Sequence, residues 1–258
     1  MKSSAPVHRN LSDRVAHHLM EYIRENGLTS GEKVPSEVRI SSDLKISRGI
    51  VREAYRSLRS AGIIEISAGR SPRVGALTNT SFTHLLQHAL STQQASPEQV
   101  LDLRTAIEVR AAELAAEKRT TADVKAMHRA VSAMRRSRSR HSDQFVQNDM
   151  QFHEIIGNAT ANPLFGLIAS ALREAMEASI RAGLESRTTQ AQLVQVVESH
   201  QAIVDAIEAR DPARAAASMA SHFAEAKNAL HGFFPSSPKN VNAEPLGRVL
   251  SRSISGGI

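Results

Sequence analysis

Through most of the chain, apolar residues recur at the three- and four-residue spacing of a helix. Three short helical patterns come first: Leu11 to Glu25, Ser36 to Leu44, and Ser47 to Ala61. They are separated by NGLTSGEKVP and by the brief Lys45-Ile46 joint. Pro35-Ser36-Glu37 reads as a helix start, and Ser47 is available as an N-cap. Ile63 to Ile66 and Pro72 to Gly75 then read as two strands around SAGRS, with Gly69 and Arg70 at the tip of the hairpin. Helix, helix, helix, hairpin predicts a winged helix-turn-helix over residues 11–75.

Residues 76–97 are mixed: LTNTS and STQQASP are turn-like, with room for a short helix at Phe82 to Leu90. They read as a linker between domains. From residue 98 to 233 the pattern predicts six helices: Glu98 to Lys118, Ala122 to Arg138, His141 to Asn158, Asn162 to Leu184, Gln190 to Ala209, and Ala213 to His231. Their short breaks predict an all-α bundle of antiparallel neighbours. Residues 1–10 and 234–258 carry too little apolar content to fold alone and are expected to be disordered. The fold class is mainly α.

Composition agrees and narrows the partners. Aromatic residues make up 3% of the 258 and Trp is absent, which suits helices packed through small aliphatic side chains. No cysteine is present, so disulfides and thiolate metal sites are excluded, in keeping with a reducing cytoplasm. No apolar run reaches the roughly 18 residues of a membrane span, and MKSSAPVHRN lacks a signal-peptide core, so no membrane partner is expected. The net charge of +6 is uneven, with 13 Lys or Arg against 8 Asp or Glu in residues 1–75. That asymmetry points the N-terminal part at nucleic acid, a solvated basic face being the plain alternative.

On the third helix Val51, Ala54, Tyr55 and Leu58 form the inward stripe, which leaves Arg48, Arg52, Arg56 and Arg59 largely opposite. Arg48 and Arg52 lie near the helix N-terminus, where phosphate is favoured, and arginine can fork onto guanine in a major groove. Arg70 and Arg73 on the hairpin are placed to reach a minor groove or the backbone. The run PSEVRISSDLKISRGIVREAYRSLRSAGII closely resembles the winged helix of the bacterial GntR family of transcription regulators. The resemblance implies DNA contacts by Ser47, Arg48, Gly49 and Arg52, and by the wing at Gly69. Two positions depart from the family. Val38 stands where arginine usually follows PSE, and Arg39 is about 100° further around the helix. Lys45 stands where glycine usually ends the second helix.

In the second domain, Asp149 and His153 share one apolar stripe with Phe145, Phe152 and Ile156. A buried carboxylate costs several kcal/mol, about 3–5, unless it is paired. His200 lies on the stripe of Leu193, Val196, Val197, Ile203, Val204 and Ile207, and His222 on that of Ala215, Met219, Phe223, Ala226 and Leu230. Any one of these histidines alone reads as a core residue with one hydrogen bond. Together, three imidazoles and one carboxylate suit a divalent metal, which would neutralise Asp149 and use the imidazoles as neutral ligands. The i, i+4 spacing lets Asp149 and His153 reach one ion.

The stretches LDLRTAIEVRAAELAAEKRT, NDMQFHEIIGNATANPLF and VESHQAIVDAIEARDPARAAASMASHF resemble the FCD effector domain of the FadR branch of the GntR family. The resemblance implies Asp149, His153, His200 and His222 as metal ligands, and a small carboxylate effector held by the ion. Arg104 borders the stripe of Val100, Leu103, Ile107, Ala111 and Leu114. It either points at an effector carboxylate or forms an i, i+4 surface salt bridge with Glu108.

These features predict a non-enzymatic, metabolite-responsive transcription regulator, a repressor, that reads a palindromic operator as a homodimer and senses a small organic acid. The expected cofactor is a divalent metal, zinc on abundance, with nickel, manganese and iron also suited to the donors. Two rivals stand beside it: a metal-dependent hydrolase, for which no general base is apparent, and a constitutive DNA-binding protein with a structural metal site.

Overall fold

A computed structural model of the chain describes residues 10–139 and 141–230. The expected disorder at both ends, and the helix end at His231, fall outside the described residues except for Asn10. That residue is the N-cap of α1 (Leu11–Glu25), its side chain accepting from the Asp13 amide.

After α1 come α2 (Glu37–Leu44), α3 (Arg48–Ser60), β1 (Ile64–Glu65) and β2 (Arg73–Val74), the two strands antiparallel with Ile64 opposite Val74. The helix-turn-helix is held by its own core, in which Val15, Leu19, Ile40, Val51, Ala54, Tyr55 and Leu58 are all buried. The buried Tyr55 hydroxyl donates to the Pro35 carbonyl at 2.5 Å, tying α3 to the residue that introduces α2. Between the two helices Lys45 adopts φ 54° and ψ 39°, a left-handed conformation that favours glycine and that lysine accepts at some cost. The segment that reads as a mere spacer before α2 also has a role. Gly31 donates to Val74, Val34 donates to Pro72, and Lys33 bridges Arg73, so it lines the wing as a third extended strip.

The connecting segment holds a complete helix, α4 (Thr80–Ser91), which packs on α8 (Pro163–Ala175). At its start Asn79 Nδ2 donates to Ser170 Oγ at 2.7 Å and to Glu174 Oε1 at 2.6 Å. One turn on, the Thr83 hydroxyl donates to Glu174 Oε2 at 3.4 Å. The remaining helices are α5 (Pro97–Lys118), α6 (Thr121–Arg136), α7 (Asp143–Ala159), α9 (Glu177–Glu185), α10 (Gln190–Glu208) and α11 (Pro212–Leu230). Reciprocal capping boxes, Ser96 with Gln99, Thr120 with Asp123 and Thr189 with Gln192, fix the starts of α5, α6 and α10.

The single helix expected over Asn162 to Leu184 is two helices, broken at Met176 with φ −103° and ψ 9°. No proline or glycine marks the break. Met176 is buried in the core, and packing there overrides a continuous helical pattern. α5 lies centrally, against α7, α8, α10 and α11, while α7 packs on α6 and α8.

The α7–α8 contact rests on two glycines. A Cβ at Gly157 would lie 2.6 Å from the Gly166 Cα, and one at Gly166 would lie 2.4 Å from Asn158 Oδ1. Gly157→Ala is therefore expected to lower the unfolding free energy by about 1–3 kcal/mol in urea denaturation, as overpacking does. Gly49→Ala, with nothing within 4 Å of its added methyl, should instead be neutral or stabilising by up to about 1 kcal/mol, the helix-propensity gain.

Candidate functional site

Two regions carry the chemistry-bearing residues. In the first, Ser47, Arg48, Gly49 and Arg52 lie on the exposed face at the start of α3, and Gly69 and Arg70 lie exposed on the wing. Ser47 occupies the N-cap position, but its side chain makes no capping hydrogen bond. Arg52 Nε is 3.5 Å from Glu37 Oε2, a largely exposed pair that a phosphate can displace. Gly69 turns the wing with φ +70°. Arg73 is engaged differently from Arg70, its guanidinium donating to the Gly31 carbonyl. Val38 is exposed, and Arg39 is drawn to Asp43 at 3.5 Å along its own helix, so it does not replace an arginine at 38.

The second region lies inside the helical domain. α7 supplies Asp149 and His153, α10 supplies His200 and α11 supplies His222. One ligand atom from each lies within 4.8 Å of all the others, so the four could hold a metal ion. Asp149, His153 and His200 are buried, and His222 is partly exposed at the edge of a pocket. The hydrogen bonds around the imidazoles orient them. His200 Nδ1 faces the Val196 carbonyl at 2.6 Å and must donate to it. Ser199 Oγ donates to the same carbonyl at 2.8 Å, so at 3.1 Å it accepts from His222 Nδ1. His153 Nδ1 lies directly against Glu108 Oε2. With each Nδ1 turned to an acceptor, each Nε2 is left with its lone pair. His153 Nε2 is a buried atom with no hydrogen-bond partner, and His200 Nε2 is 3.0 Å from Asp149 Oδ1. Converging lone pairs around a carboxylate are the donor set a divalent cation takes.

Two charged residues beside this cluster escaped the sequence. Arg173 on α8 is 1% exposed and donates from Nη2 to Asp149 Oδ2 at 2.6 Å. Glu108 on α5 is 2% exposed, with Oε1 accepting from Arg104 Nε at 2.9 Å and Oε2 4.0 Å from Arg173 Nη1. The Arg104–Glu108 pair expected on a helix surface therefore exists, but in the interior. The reason lies in α5, whose close-packed face runs through Leu101, Ala112, Ala115 and Ala116, while Leu103 on the expected stripe is 44% exposed. Alanine gives helices close approach with little hydropathy signal.

The charges compensate within this network. Burial alone would raise the Asp149 carboxyl, but the Arg173 guanidinium outweighs it and helps hold the group well below the usual carboxylate range. Burial would also raise Glu108; Arg104 and His153 outweigh it and keep it ionised. Burial and the Arg173 guanidinium push His153 down to about 4, against the pull of Glu108. Burial likewise lowers His222. Neutral imidazoles are the ligating form.

The pocket opens beside the four candidate ligands. It encloses about 610 Å³ between its walls, counting the open space at its mouth. Arg104, Asp149, His153, Arg187 and His222 give it polarity, and Arg104 is steadied over the Phe223 ring at 5.1 Å. α9 supplies one wall through Ser179, Ile180, Gly183 and Leu184, so the break at Met176 shapes the pocket.

Among proteins of known sequence, residues 11–74 match the model of the bacterial regulatory proteins of the gntR family, and residues 99–225 match the FCD domain. The chain is 30% identical over 228 residues to the Glc operon transcriptional activator of Escherichia coli K12, covering 86% of this chain and 90% of that protein. It is 29% identical over 216 residues to the HTH-type transcriptional regulator LutR of Bacillus subtilis, with 82% and 97% covered. It is 28% identical over 217 residues to the transcriptional repressor NanR of Cronobacter sakazakii, with 83% of each covered. Among solved structures, the GntR protein of Streptococcus agalactiae shares the fold, with a TM-score of 0.61 at 20% identity over 84% of this chain and 100% of that one.

Removing one partner of a buried ion pair strands the other. Arg173→Met is expected to cost about 3–5 kcal/mol of unfolding free energy in the presence of a chelator. A loss below about 1 kcal/mol, the range of exposed pairs, would show that water already solvates the Asp149 carboxylate.

Proposed function

Because the chain belongs to the bacterial GntR family of transcription regulators and carries an FCD domain, we propose that it is a homodimeric repressor that releases a palindromic operator when a small organic acid binds beside a divalent ion. It is a DNA-binding transcription regulator and not an enzyme. In the proposed reading Ser47, Arg48, Gly49 and Arg52 meet the major groove while Gly69 and Arg70 of the wing reach the neighbouring groove or backbone. One winged helix covers one half-site, so a palindrome needs two chains. Among the relatives, NanR is named a repressor and the Glc protein an activator. Repression is the sign proposed here.

The observation that carries the sensing half is the set of three imidazoles whose Nδ1 atoms face acceptors, leaving Nε2 atoms beside Asp149. Asp149, His153, His200 and His222 would hold the ion, proposed to be zinc on the nitrogen-rich donor set. When bound, the ion supplies a Lewis-acidic anchor for a carboxylate. Arg104, at the pocket wall, would fork onto that carboxylate while remaining paired with Glu108. Glu108 itself is ion-paired with Arg104 and lies against His153, so it is no free general base, which weighs against hydrolysis.

α8 offers the route from this site to the DNA-reading half. Arg173 grips Asp149, and its neighbour Glu174 accepts from Asn79 and Thr83 of the segment that leads back to the wing. A ligand that shifts Asp149 thereby bears on α4 through two adjacent residues.

Metal analysis of untagged protein is expected to find about one divalent ion per chain in the wild type and none in the Asp149→Ala, His153→Ala double mutant. No ion in either would remove the sensing mechanism while leaving the DNA-binding function standing. Glu174→Ala is expected to keep its metal and its operator affinity, yet to lose most of the effector-induced release measured by fluorescence anisotropy. Full release in that mutant would sink the α8 route.

A further inference from the structure

Arg187 follows α9 and lines the same pocket. Among the described residues it makes no ion pair, and its guanidinium donates to the Gly183 carbonyl in the last turn of α9. Burial lowers its pKa, with Asp149 and Glu225 pulling the other way through space. Glu225 is not among the residues that line the pocket, and Asp149 is already paired with Arg173. A half-buried cation without a counter-ion, in a pocket, awaits an anion.

The charge balance of the site leads to the same place. Three guanidinium groups, those of Arg104, Arg173 and Arg187, face the two carboxylates of Glu108 and Asp149. Neutral imidazole ligands leave that excess untouched, and a divalent ion adds to it. An effector with a single carboxylate would satisfy the ion and Arg104 and leave Arg187 bare. Arg104 comes from α5 and Arg187 follows α9, so the two guanidinium groups are brought to the pocket by different elements.

We infer that Arg187 is a second anion anchor and that the effector carries two anionic ends, one at the ion and Arg104, the other at Arg187. This rests on the function proposed above and narrows its effector to a dicarboxylate or an acid with an equivalent second anionic group. Arg187 thereby sets the ligand length that the pocket accepts.

The test uses metal-loaded full-length protein, wild type and Arg187→Gln, titrated calorimetrically with acetate and with the α,ω-dicarboxylates from malonate to adipate. In the wild type one chain length should bind at least tenfold tighter than acetate. In Arg187→Gln that preference should fall by roughly ten- to a hundredfold, the range of a charge-assisted hydrogen bond, with acetate affinity and metal content unchanged. Arg187→Lys should recover part of it. Equal binding of acetate and every dicarboxylate by the wild type, a preference that survives Arg187→Gln, or a uniform loss for all ligands would each overturn the inference while leaving the carboxylate-sensing function intact. If no carboxylate binds the metal-loaded wild type, that function falls, and this inference with it.

Discussion

The helical domain is organised around one constraint: Asp149 is placed where an unpaired carboxylate cannot remain. Arg173 meets it from α8, His200 from α10, and His153 shares its own helix. Each partner brings its own needs. Arg173 reaches toward Glu108, Glu108 takes Arg104, and the imidazoles turn their remaining nitrogens to Val196 and Ser199. Five helices, α5, α7, α8, α10 and α11, are thus tied together by polar contacts in a medium where a stranded charge costs several kcal/mol, about 3–5. The surrounding apolar packing supplies stability; this network fixes which packing is adopted.

The DNA-reading half is built on the opposite plan. Its core is small and entirely local, and the arginines on its outer face are exposed, with weak partners or none among the described residues. Exposed charges of that kind contribute little to folding and can be released to a phosphate at small cost. One half spends burial on positioning charges, and the other keeps charges free for a ligand that arrives already anionic.

How much of this the sequence disclosed follows from how each signal travels. The stripes on α7 and α10 are defined by large apolar side chains, so Asp149, His153 and His200 stood out against them. His222 was legible for the same reason on α11. Arg173 was not, because its partner is 24 residues away and nothing local marks it as buried. The burial of Glu108 has little signal because α5 packs through alanines, while Leu103, which dominates its periodicity, is exposed. The break at Met176 has no local signature, since it arises from tertiary packing. The helix-turn-helix was read almost residue by residue because caps and spacing decide it. The strip at Gly31–Val34 was missed because its pairing to the wing crosses some forty residues, from Val34 to Pro72.

The glycine contact between α7 and α8 acquires a mechanical meaning from where it lies. Gly157 is about two turns of helix from Asp149, and Gly166 about two turns from Arg173, an arm on the order of 12 Å on each side. The two glycines act as a fulcrum, since neither helix can slide closer there. A rotation of about 5° around that point moves the far ends by about 1 Å, which is large against a metal–oxygen bond of about 2.0–2.2 Å. Any change in the angle between the two helices would therefore be felt first at their far ends, where a carboxylate from one meets a guanidinium from the other.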